Sequence, residues 1–230
     1  MRYVVRAALA VGLSLFGAPA LAQSAENAWT LEATAGVVSD YRWRGTSLSG
    51  GDPAVQAGAT VSHASGFYVD AYASSIEEYG LGADGDGAEV EITLTGGWAG
   101  TLAGFDIDAA VAAYQYPDGS DVAYVEIPVQ AGRTVGPWTW TLGAAFTPAQ
   151  SALGDEDNRY VWAGAALAPE AWPVAFEATV GREEGAWAPD GKTDWSLGAR
   201  APLGPVEIGL AWVDSDVDEG AAVASLFASF

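Results

Sequence analysis

The sequence contains no cysteine, a single histidine and only nine basic residues against thirty acidic ones. Without cysteine the chain forms neither disulfides nor thiolate metal sites, so hydrogen bonding and burial must hold it together. The shortage of Lys and Arg predicts that nucleic acid is not a partner, because those residues bind phosphate backbones. Beyond the N-terminus, no apolar run approaches the roughly 20 residues that a helical membrane span requires. Helical spans are therefore excluded.

The N-terminus has the pattern of a secretory signal peptide. Arg2 and Arg6 precede an uncharged apolar stretch over residues 7–18, and Ala20-Leu21-Ala22 forms an A-x-A cleavage site. That stretch is too short for a signal-anchor helix. We predict cleavage after Ala22, which leaves a single domain over residues 23–230 with seven basic residues, thirty acidic residues and a formal net charge of −23.

From residue 29 onward the chain divides into segments of about ten residues whose hydrophobicity alternates with a period of two. This is the length and pattern of tilted transmembrane β-strands. We predict a transmembrane antiparallel up-and-down β-barrel of about twelve strands. The segments are 29–38, 53–63, 66–76, 87–98, 102–115, 121–133, 137–147, 158–168, 172–182, 193–202, 205–213 and 221–230.

Short and long connections alternate along the chain, as periplasmic turns and outer loops do in outer-membrane barrels. A soluble β-sandwich would not show this regular alternation. Both termini are accordingly expected on the periplasmic side. The short links are Ala64-Ser65, Gly100-Thr101, Gly136, Pro169 to Ala171 and Leu203-Gly204, and the longer stretches include Glu77 to Asp86, Pro148 to Asp157 and Glu183 to Lys192.

The chain ends on an aromatic residue, Phe230, after an alternating apolar series. Together with the signal peptide, this ending predicts a protein exported to the outer membrane of a Gram-negative bacterium. The expected partners are the barrel assembly machinery, which would recognise Phe230, and the surrounding outer-membrane lipid and lipopolysaccharide.

The aromatic residues predict two interfacial girdles, in which Trp and Tyr sit at the level of the lipid headgroups. Core packing is the alternative, but aromatics of a core would not avoid the strand middles. The periplasmic girdle is predicted to contain Trp29, Phe67, Trp98, Trp138, Trp172 and Phe230. The outer girdle is predicted to contain Trp43, Tyr116, Tyr124, Phe146, Tyr160, Trp162, Trp195 and Trp212.

Strand parity predicts which charged side chains face the lumen. In the first segment Glu32 lies on the face opposite Leu31 and Val37, and charge facing lipid is costly. Glu32 should therefore point inward. A lumen rich in carboxylates must be hydrated, because unpaired acids in a dry core would destabilise the fold. The same assignment places these residues on the inner face: Asp40, Arg42, Arg44, Asp70, Glu89, Glu91, Asp106, Asp108, Glu126, Glu177, Arg200 and Glu207.

Arg42 and Arg44 stand out because they are two of only seven basic residues in the predicted mature chain. We expect both to form charge-assisted pairs with lumen carboxylates near the barrel mouth. Two roles follow from that position. The pairs can brace the first hairpin, or they can form a constriction that senses the charge of passing solutes.

A motif near the end of the first strand carries a family resemblance. The stretch Val38-Ser39-Asp40-Tyr41-Arg42-Trp43-Arg44-Gly45-Thr46-Ser47 is followed by Gly51-Asp52-Pro53-Ala54-Val55-Gln56 and His63-Ala64-Ser65-Gly66-Phe67-Tyr68. In combination these segments resemble the TorF family of porins. The resemblance implies a small outer-membrane barrel. Trp43 stands where Phe is common in that family, and Leu48 stands where a polar residue often follows.

Catalytic and metal sites are not favoured by the sequence, and we expect neither enzymatic activity nor a cofactor. His63 lies at a short turn with no acidic residue near it, so a triad lacks its orienting carboxylate. The pairs Glu89/Glu91 and Asp106/Asp108 could imitate an acid/base site, but chance adjacency explains them in so acidic a chain. Asp214 to Asp218 begins like a calcium loop that lacks its turn glycine and its closing Glu. Weak binding of divalent cations by the outer loops is the remaining alternative.

Two functions remain open from the sequence. The first is a narrow channel for passive diffusion of small solutes, in which lumen carboxylates concentrate cations. The second is a non-conducting structural or surface-interaction barrel, closed by Arg42, Arg44 and inward-folded loops. Twelve strands enclose an interior between the filled eight-stranded barrels and the open channels of 16–18 strands, so barrel size does not choose between them.

Overall fold

A computed structural model of the chain describes residues 28–82 and 86–230. The predicted signal peptide, residues 1–22, lies outside the described residues. Almost all regular structure is β-strand. The strands are β1 Trp29–Val38, β2 Arg42–Trp43, β3 Thr46–Ser47, β4 Ala54–His63, β5 Phe67–Tyr79, β6 Ala88–Leu102, β7 Phe105–Gln115, β8 Tyr124–Val135, β9 Trp138–Thr147, β10 Asn158–Leu167, β11 Ala175–Gly185, β12 Ala188–Leu203, β13 Val206–Ser215 and β14 Ala221–Ser229.

Twelve of these strands form one closed antiparallel barrel, which confirms the predicted fold class. Each barrel strand pairs with its neighbours in chain order, and β1 pairs with both β4 and β14, which closes the cylinder. The short strands β2 and β3 pair only with each other. In the described part of the chain, no helix is both long enough and apolar enough to span a membrane.

Apolar side chains cover the outside of the barrel, while polar ones point inward. Leu31, Leu94, Val111 and Leu210 are each about half exposed or more, whereas Gln56, Glu91 and Glu126 are buried. This is the reverse of a soluble protein, where large apolar side chains occupy the interior. An outward apolar surface with a polar interior is the arrangement of a barrel that faces lipid.

Four turns of two or three residues and one link of seven residues, 168–174, lie at one end of the barrel, which we call the turn end. The opposite end is called the loop end. The turn predicted at Gly100-Thr101 instead falls at Ala103 and Gly104, both with positive φ, because β6 extends to Leu102. Both termini of the barrel lie at the turn end, since β1 begins and β14 ends there.

The long loop predicted over 183–192 is absent from the structure. Strand β11 continues to Gly185 and β12 begins at Ala188, so only two residues separate them. Glu183 lies directly opposite Lys192 in the ladder, and their side chains form an ion pair at 2.8 Å. The prediction was wrong because Gly and Asp in this stretch were taken as loop residues, whereas the inward pair extends the hairpin.

The outer aromatic girdle also differs from its prediction. Phe146, Trp195 and Trp212 are exposed at the loop end, as a girdle requires. Five other members instead pack inside the barrel, because their polar atoms or rings have partners there. These five are Trp43, Tyr116, Tyr124, Tyr160 and Trp162.

Candidate functional site: a hairpin inserted into the lumen

The connection between β1 and β4, residues 39–53, folds into the barrel rather than away from it. We call it the plug loop, and its β2–β3 pair the plug hairpin. The Asp40 carboxylate organises the loop by accepting hydrogen bonds from Arg42 Nε at 2.6 Å, Ser47 Oγ at 2.6 Å and Ser49 Oγ at 3.3 Å. The backbone N–H of Leu48 donates to the carbonyl of Tyr41 at 2.7 Å. The charged and hydroxyl residues of the motif thus close the loop on itself.

Two residues with positive φ form the tip of the plug hairpin. Arg44 has φ 48° and Gly45 has φ 84°, a pair of values typical of a tight hairpin turn. A side chain at position 45 would approach the Cβ of Ser215 to 2.7 Å. Glycine is therefore required by both the backbone conformation and the space available.

The Arg44 guanidinium lies between two carboxylates of the barrel wall. Its Nη2 donates to both oxygens of Glu126 at 2.9 and 2.7 Å, and its Nη1 donates to Glu183 Oε1 at 2.7 Å. Arg44, Glu126 and Glu183 are each at most 2% exposed, so the lumen is filled at this level. Burial alone would lower the pKa of Arg44, but the charges of Glu126 and Glu183 raise this pKa above its usual value, and the group stays charged.

Each carboxylate is held by further groups of the barrel strands. Glu126 accepts a hydrogen bond from Thr147 Oγ1 at 3.0 Å. Glu183 accepts one from Asn158 Nδ2 at 3.0 Å and forms its ion pair with Lys192. The two acids are therefore positioned by β8, β9, β10, β11 and β12, independently of the plug hairpin.

Aromatic rings cover the faces of the Arg44 guanidinium. Its central carbon lies 4.4 Å from the ring centre of Trp43 and 4.2 Å from that of Tyr160. The Tyr160 hydroxyl donates to Asp194 at 3.0 Å, which fixes the ring. Trp43 in turn packs edge-on against Tyr114 with ring centres 5.3 Å apart. Cation–π contacts of this kind strengthen when water is excluded.

A second set of contacts holds the base of the plug loop. Tyr41 donates to one oxygen of Glu91 at 2.8 Å, and Tyr116 donates to the other at 2.7 Å. Burial and then the charge of Glu91 raise the pKa of both hydroxyls, so both remain protonated donors. Glu91 thereby joins the plug loop to the β7–β8 connection.

The last loop-end connection, residues 216–220, also clamps the plug hairpin. Thr46 Oγ1 donates to Asp218 Oδ2 at 2.6 Å, and Arg42 Nη1 donates to the carbonyl of Glu219 at 2.8 Å. Asp216 accepts a hydrogen bond from the backbone N–H of Thr193. The carboxylates of the calcium-like stretch are thus engaged with protein donors. Among residues 28–82 and 86–230, no group of three His, Asp or Glu side chains could hold a metal ion.

The turn-end half of the lumen contains a looser charge group. Arg200 lies 3.9 Å from Glu177 and 3.6 Å from Glu207, and the Glu207 side chain is 33% exposed. Tyr68 donates to Asp108 at 2.9 Å, and Thr101 donates to Asp106 at 2.8 Å. Further along the wall, Thr60 donates to Asp70 at 2.7 Å, and Glu32 lies half-buried opposite Thr60 in the β1–β4 ladder.

Two predicted roles change in the structure. Arg42 pairs with its neighbour Asp40 and with backbone carbonyls, rather than with a carboxylate of the barrel wall. Glu89 is exposed at the loop end of β6, away from the buried Glu91. An irregularity between Ser75 and Tyr79 in the β5–β6 ladder interrupts the alternation of faces there. This explains why the prediction that Glu89 faces inward was wrong.

Sequence reasoning missed Glu183, Lys192 and Asp194, all of which line the lumen. A signal was present in the sequence, because Glu183 continues, through Thr179 and Gly181, the alternation that places Glu177 on the inner face. The Gly and Asp content of residues 183–192 obscured it.

The histidine has the surroundings of a turn residue. The Nδ1 atom of His63 accepts a hydrogen bond from the backbone N–H of Ser65 at 3.1 Å and lies 2.7 Å from Ser65 Oγ. The ring packs against Trp29 with centres 4.6 Å apart. These contacts stabilise the β4–β5 turn.

The fold and the charged lumen define a porin-like β-barrel, and this fold indicates the bacterial outer membrane. The chain belongs to the Gcw_chp family, described as a bacterial protein of unknown function, whose model matches residues 22–228. This match does not carry the TorF name. No curated protein is significantly similar in sequence.

Two solved porin structures, KdgM and NanC, share the architecture at very low sequence identity. The KdgM porin is 6% identical with a TM-score of 0.59, covering 87% of this chain and 98% of that porin. The NanC porin is 9% identical with a TM-score of 0.53, over 87% and 98%. A porin refined at 1.8 Å is matched at 16% identity and a TM-score of 0.42 over 77% of this chain, which spans only 61% of that porin. At such identities the likeness shows the fold alone.

Proposed function

We propose that this protein is an outer-membrane channel for small cationic solutes, closed at rest by its plug hairpin. The observation that carries the proposal is the charge of the inner wall, where acids outnumber bases. The bases are Arg44, Lys192 and Arg200. The acids are Glu32, Asp70, Glu91, Asp106, Asp108, Glu126, Glu177, Glu183, Asp194 and Glu207.

An inner wall of this sign favours cations over anions. Low-dielectric walls lined by one sign of charge focus the electric field and raise the local concentration of counter-ions. Several of these acids, such as Glu32 and Glu207, are only partly buried. Their carboxylates are therefore partly accessible to a solute in the lumen, and Glu207 also faces Arg200 at 3.6 Å.

Opening does not require the barrel to break. The plug hairpin forms its own two-stranded sheet and shares no ladder with the barrel strands. Side-chain contacts, chiefly those of Arg44 and Tyr41, hold it in the lumen. Displacing it costs those contacts but leaves all barrel strand pairs intact.

Planar-bilayer recording tests the proposal. Wild-type protein should show rare openings, and a variant with residues 42–47 replaced by Gly and Ser should conduct continuously. Under a KCl gradient, the reversal potential of this variant should indicate K⁺ preference. Anion preference, or a silent plug-hairpin variant that is shown to be folded, would contradict the channel.

A second candidate function is a non-conducting barrel with a structural or surface-interaction role. The observation in its favour is the complete burial of Arg44, Glu126 and Glu183. Silence of both the wild type and the plug-hairpin variant would select it. For both candidates we propose that the barrel is surrounded by outer-membrane lipid and lipopolysaccharide. We also propose that the barrel assembly machinery inserts it by recognising Phe230. Neither candidate involves enzymatic activity.

A further inference from the structure

The pocket that holds the Arg44 side chain has the chemistry of a ligand site. We propose that it binds guanidinium-bearing organic cations, and that the chain's own Arg44 occupies it as a tethered substitute. The inference rests on the proposed cation channel for its physiological meaning, because it names the solute class. Binding itself can be measured separately from conduction.

The carboxylates match a planar guanidinium. Glu126 accepts two hydrogen bonds from one nitrogen, and Glu183 accepts a third from the other terminal nitrogen. The two terminal nitrogens of the planar guanidinium point to two different carboxylates, and a spherical metal ion has no such fixed donor directions. The site therefore selects by shape as well as by charge.

The remaining wall of the pocket favours an organic cation over an inorganic one. The Tyr160 ring lies 4.2 Å from the guanidinium carbon and covers one of its faces. The Tyr114 hydroxyl is buried nearby and has no hydrogen-bond partner, so it remains available to a ligand with further polar atoms. Aromatic faces of this kind recognise organic cations.

The pocket remains when the plug hairpin leaves. Thr147, Asn158 and Lys192 hold the two carboxylates, and Asp194 holds Tyr160. All of these groups belong to barrel strands. An incoming cation therefore meets a site that is already formed, which lowers the entropy cost of binding.

The plug hairpin competes with such a ligand at a high effective concentration, because Arg44 is tethered beside the site. Wild-type protein should consequently bind a free guanidinium compound weakly. Removing the Arg44 side chain removes the competitor and leaves the pocket vacant and acidic.

The test uses full-length Arg44→Ala protein refolded in detergent, with ethylguanidinium chloride as the probe and NaCl at equal ionic strength as the salt control. We expect the probe to raise the thermal midpoint of this variant by about 2–4 °C at concentrations several times its dissociation constant. Two controls should show no larger change in thermal midpoint with the probe than with NaCl. They are the wild-type protein and Arg159→Ala, which removes a side chain that is 69% exposed.

A second variant keeps the result interpretable. Arg44→Ala/Glu126→Gln/Glu183→Gln removes Arg44 together with the two carboxylate charges that it pairs with, and should lose the response to the probe. If Arg44→Ala does not fold alone, its refolded yield should increase with ethylguanidinium but not with NaCl. Equal midpoints or yields in the two salts, or an undiminished response of the triple variant, would overturn the site.

Bilayer recording separates this inference from the proposed function. In conducting Arg44→Ala, ethylguanidinium added from the loop end should reduce the K⁺ current. The plug-hairpin variant, with residues 42–47 replaced by Gly and Ser, also lacks Arg44; if it is folded and silent but still shows the thermal shift, the site is retained and the channel is refuted. A conducting variant with neither a shift nor block would refute the site and retain the channel.

Discussion

The lumen contains two arginines between paired carboxylates, and the two groups differ in almost every other respect. At the loop end, Arg44 meets Glu126 and Glu183 at 2.7 Å and is sealed from water. At the turn end, Arg200 lies 3.6 to 3.9 Å from Glu207 and Glu177, and Glu207 is partly exposed. The first group closes the lumen, while the second leaves charge accessible along the wall.

The difference lies in what supplies the arginine. Arg200 comes from barrel strand β12, so its reach is set by the strand register. Arg44 comes from the plug hairpin, which shares no ladder with the barrel strands and which brings Trp43 to cover the cation. Local packing and exclusion of water thus decide whether the same residue types form a tight closure or a loose charged ring.

Arg44→Ala should have the largest effect on stability, because it removes the arginine of the tightly closed group at the loop end. It leaves Glu126 buried without a cation and Glu183 paired with Lys192 alone, so we expect a loss of about 3–5 kcal/mol in the free energy of unfolding. Urea titration in lipid vesicles measures it. Arg159→Ala, whose ion pair with Asp157 is exposed, is the control and should change stability by under about 0.5 kcal/mol. Equal effects of the two variants would show that the closure is not tight.

Tyr41→Phe tests the second attachment of the plug loop. It removes a hydrogen bond to a buried carboxylate, and such bonds contribute about 1.5–3 kcal/mol to stability. Bilayer recording should also show more frequent openings. Tyr68→Phe removes a similar bond to Asp108 at the turn end and should leave the opening frequency unchanged. More frequent openings in both variants would argue against a closure located at the loop end.

Gly45→Ala strains the tip of the plug hairpin. At φ 84° an added Cβ is disfavoured by roughly 1–2 kcal/mol, and it also approaches Ser215. We expect a lower thermal midpoint and a raised open probability. Gly51→Ala is the matched control, since Gly51 has a similar φ of 85° but no atom near a Cβ. If Gly51→Ala opens the channel equally, the contact with Ser215 has no role.

Arg200→Ala should have the smallest effect on stability, because the Glu207 side chain is 33% exposed and water can solvate its carboxylate once the guanidinium is removed. We expect Arg200→Ala to change the ion selectivity of the channel instead. In a channel opened by the Gly and Ser replacement of residues 42–47, this substitution adds net negative charge to the wall and should increase K⁺ preference. An unchanged reversal potential would show that the turn-end group does not face the ion path.

Much of the barrel is predictable from the alternation of inward and outward residues along each strand. The wrong assignments have a common cause. Parity places Glu126 and Asp108 inside correctly, because a regular ladder preserves the alternation of faces. It fails at Glu89, where a ladder irregularity intervenes, and it missed Glu183, which was assigned to a loop. Both positions lie at strand ends, where the backbone can leave the regular pattern.

The amino-acid sequence by itself determined the closed twelve-stranded barrel and the acidic sign of its interior, because a period of two and the high cost of charge in lipid act locally along each strand. Only the tertiary structure decided that Arg44 inserts between Glu126 and Glu183. These residues are separated by 82 and 139 positions in the chain, and their meeting depends on barrel closure and on the inward path of one loop. No local pattern encodes that approach.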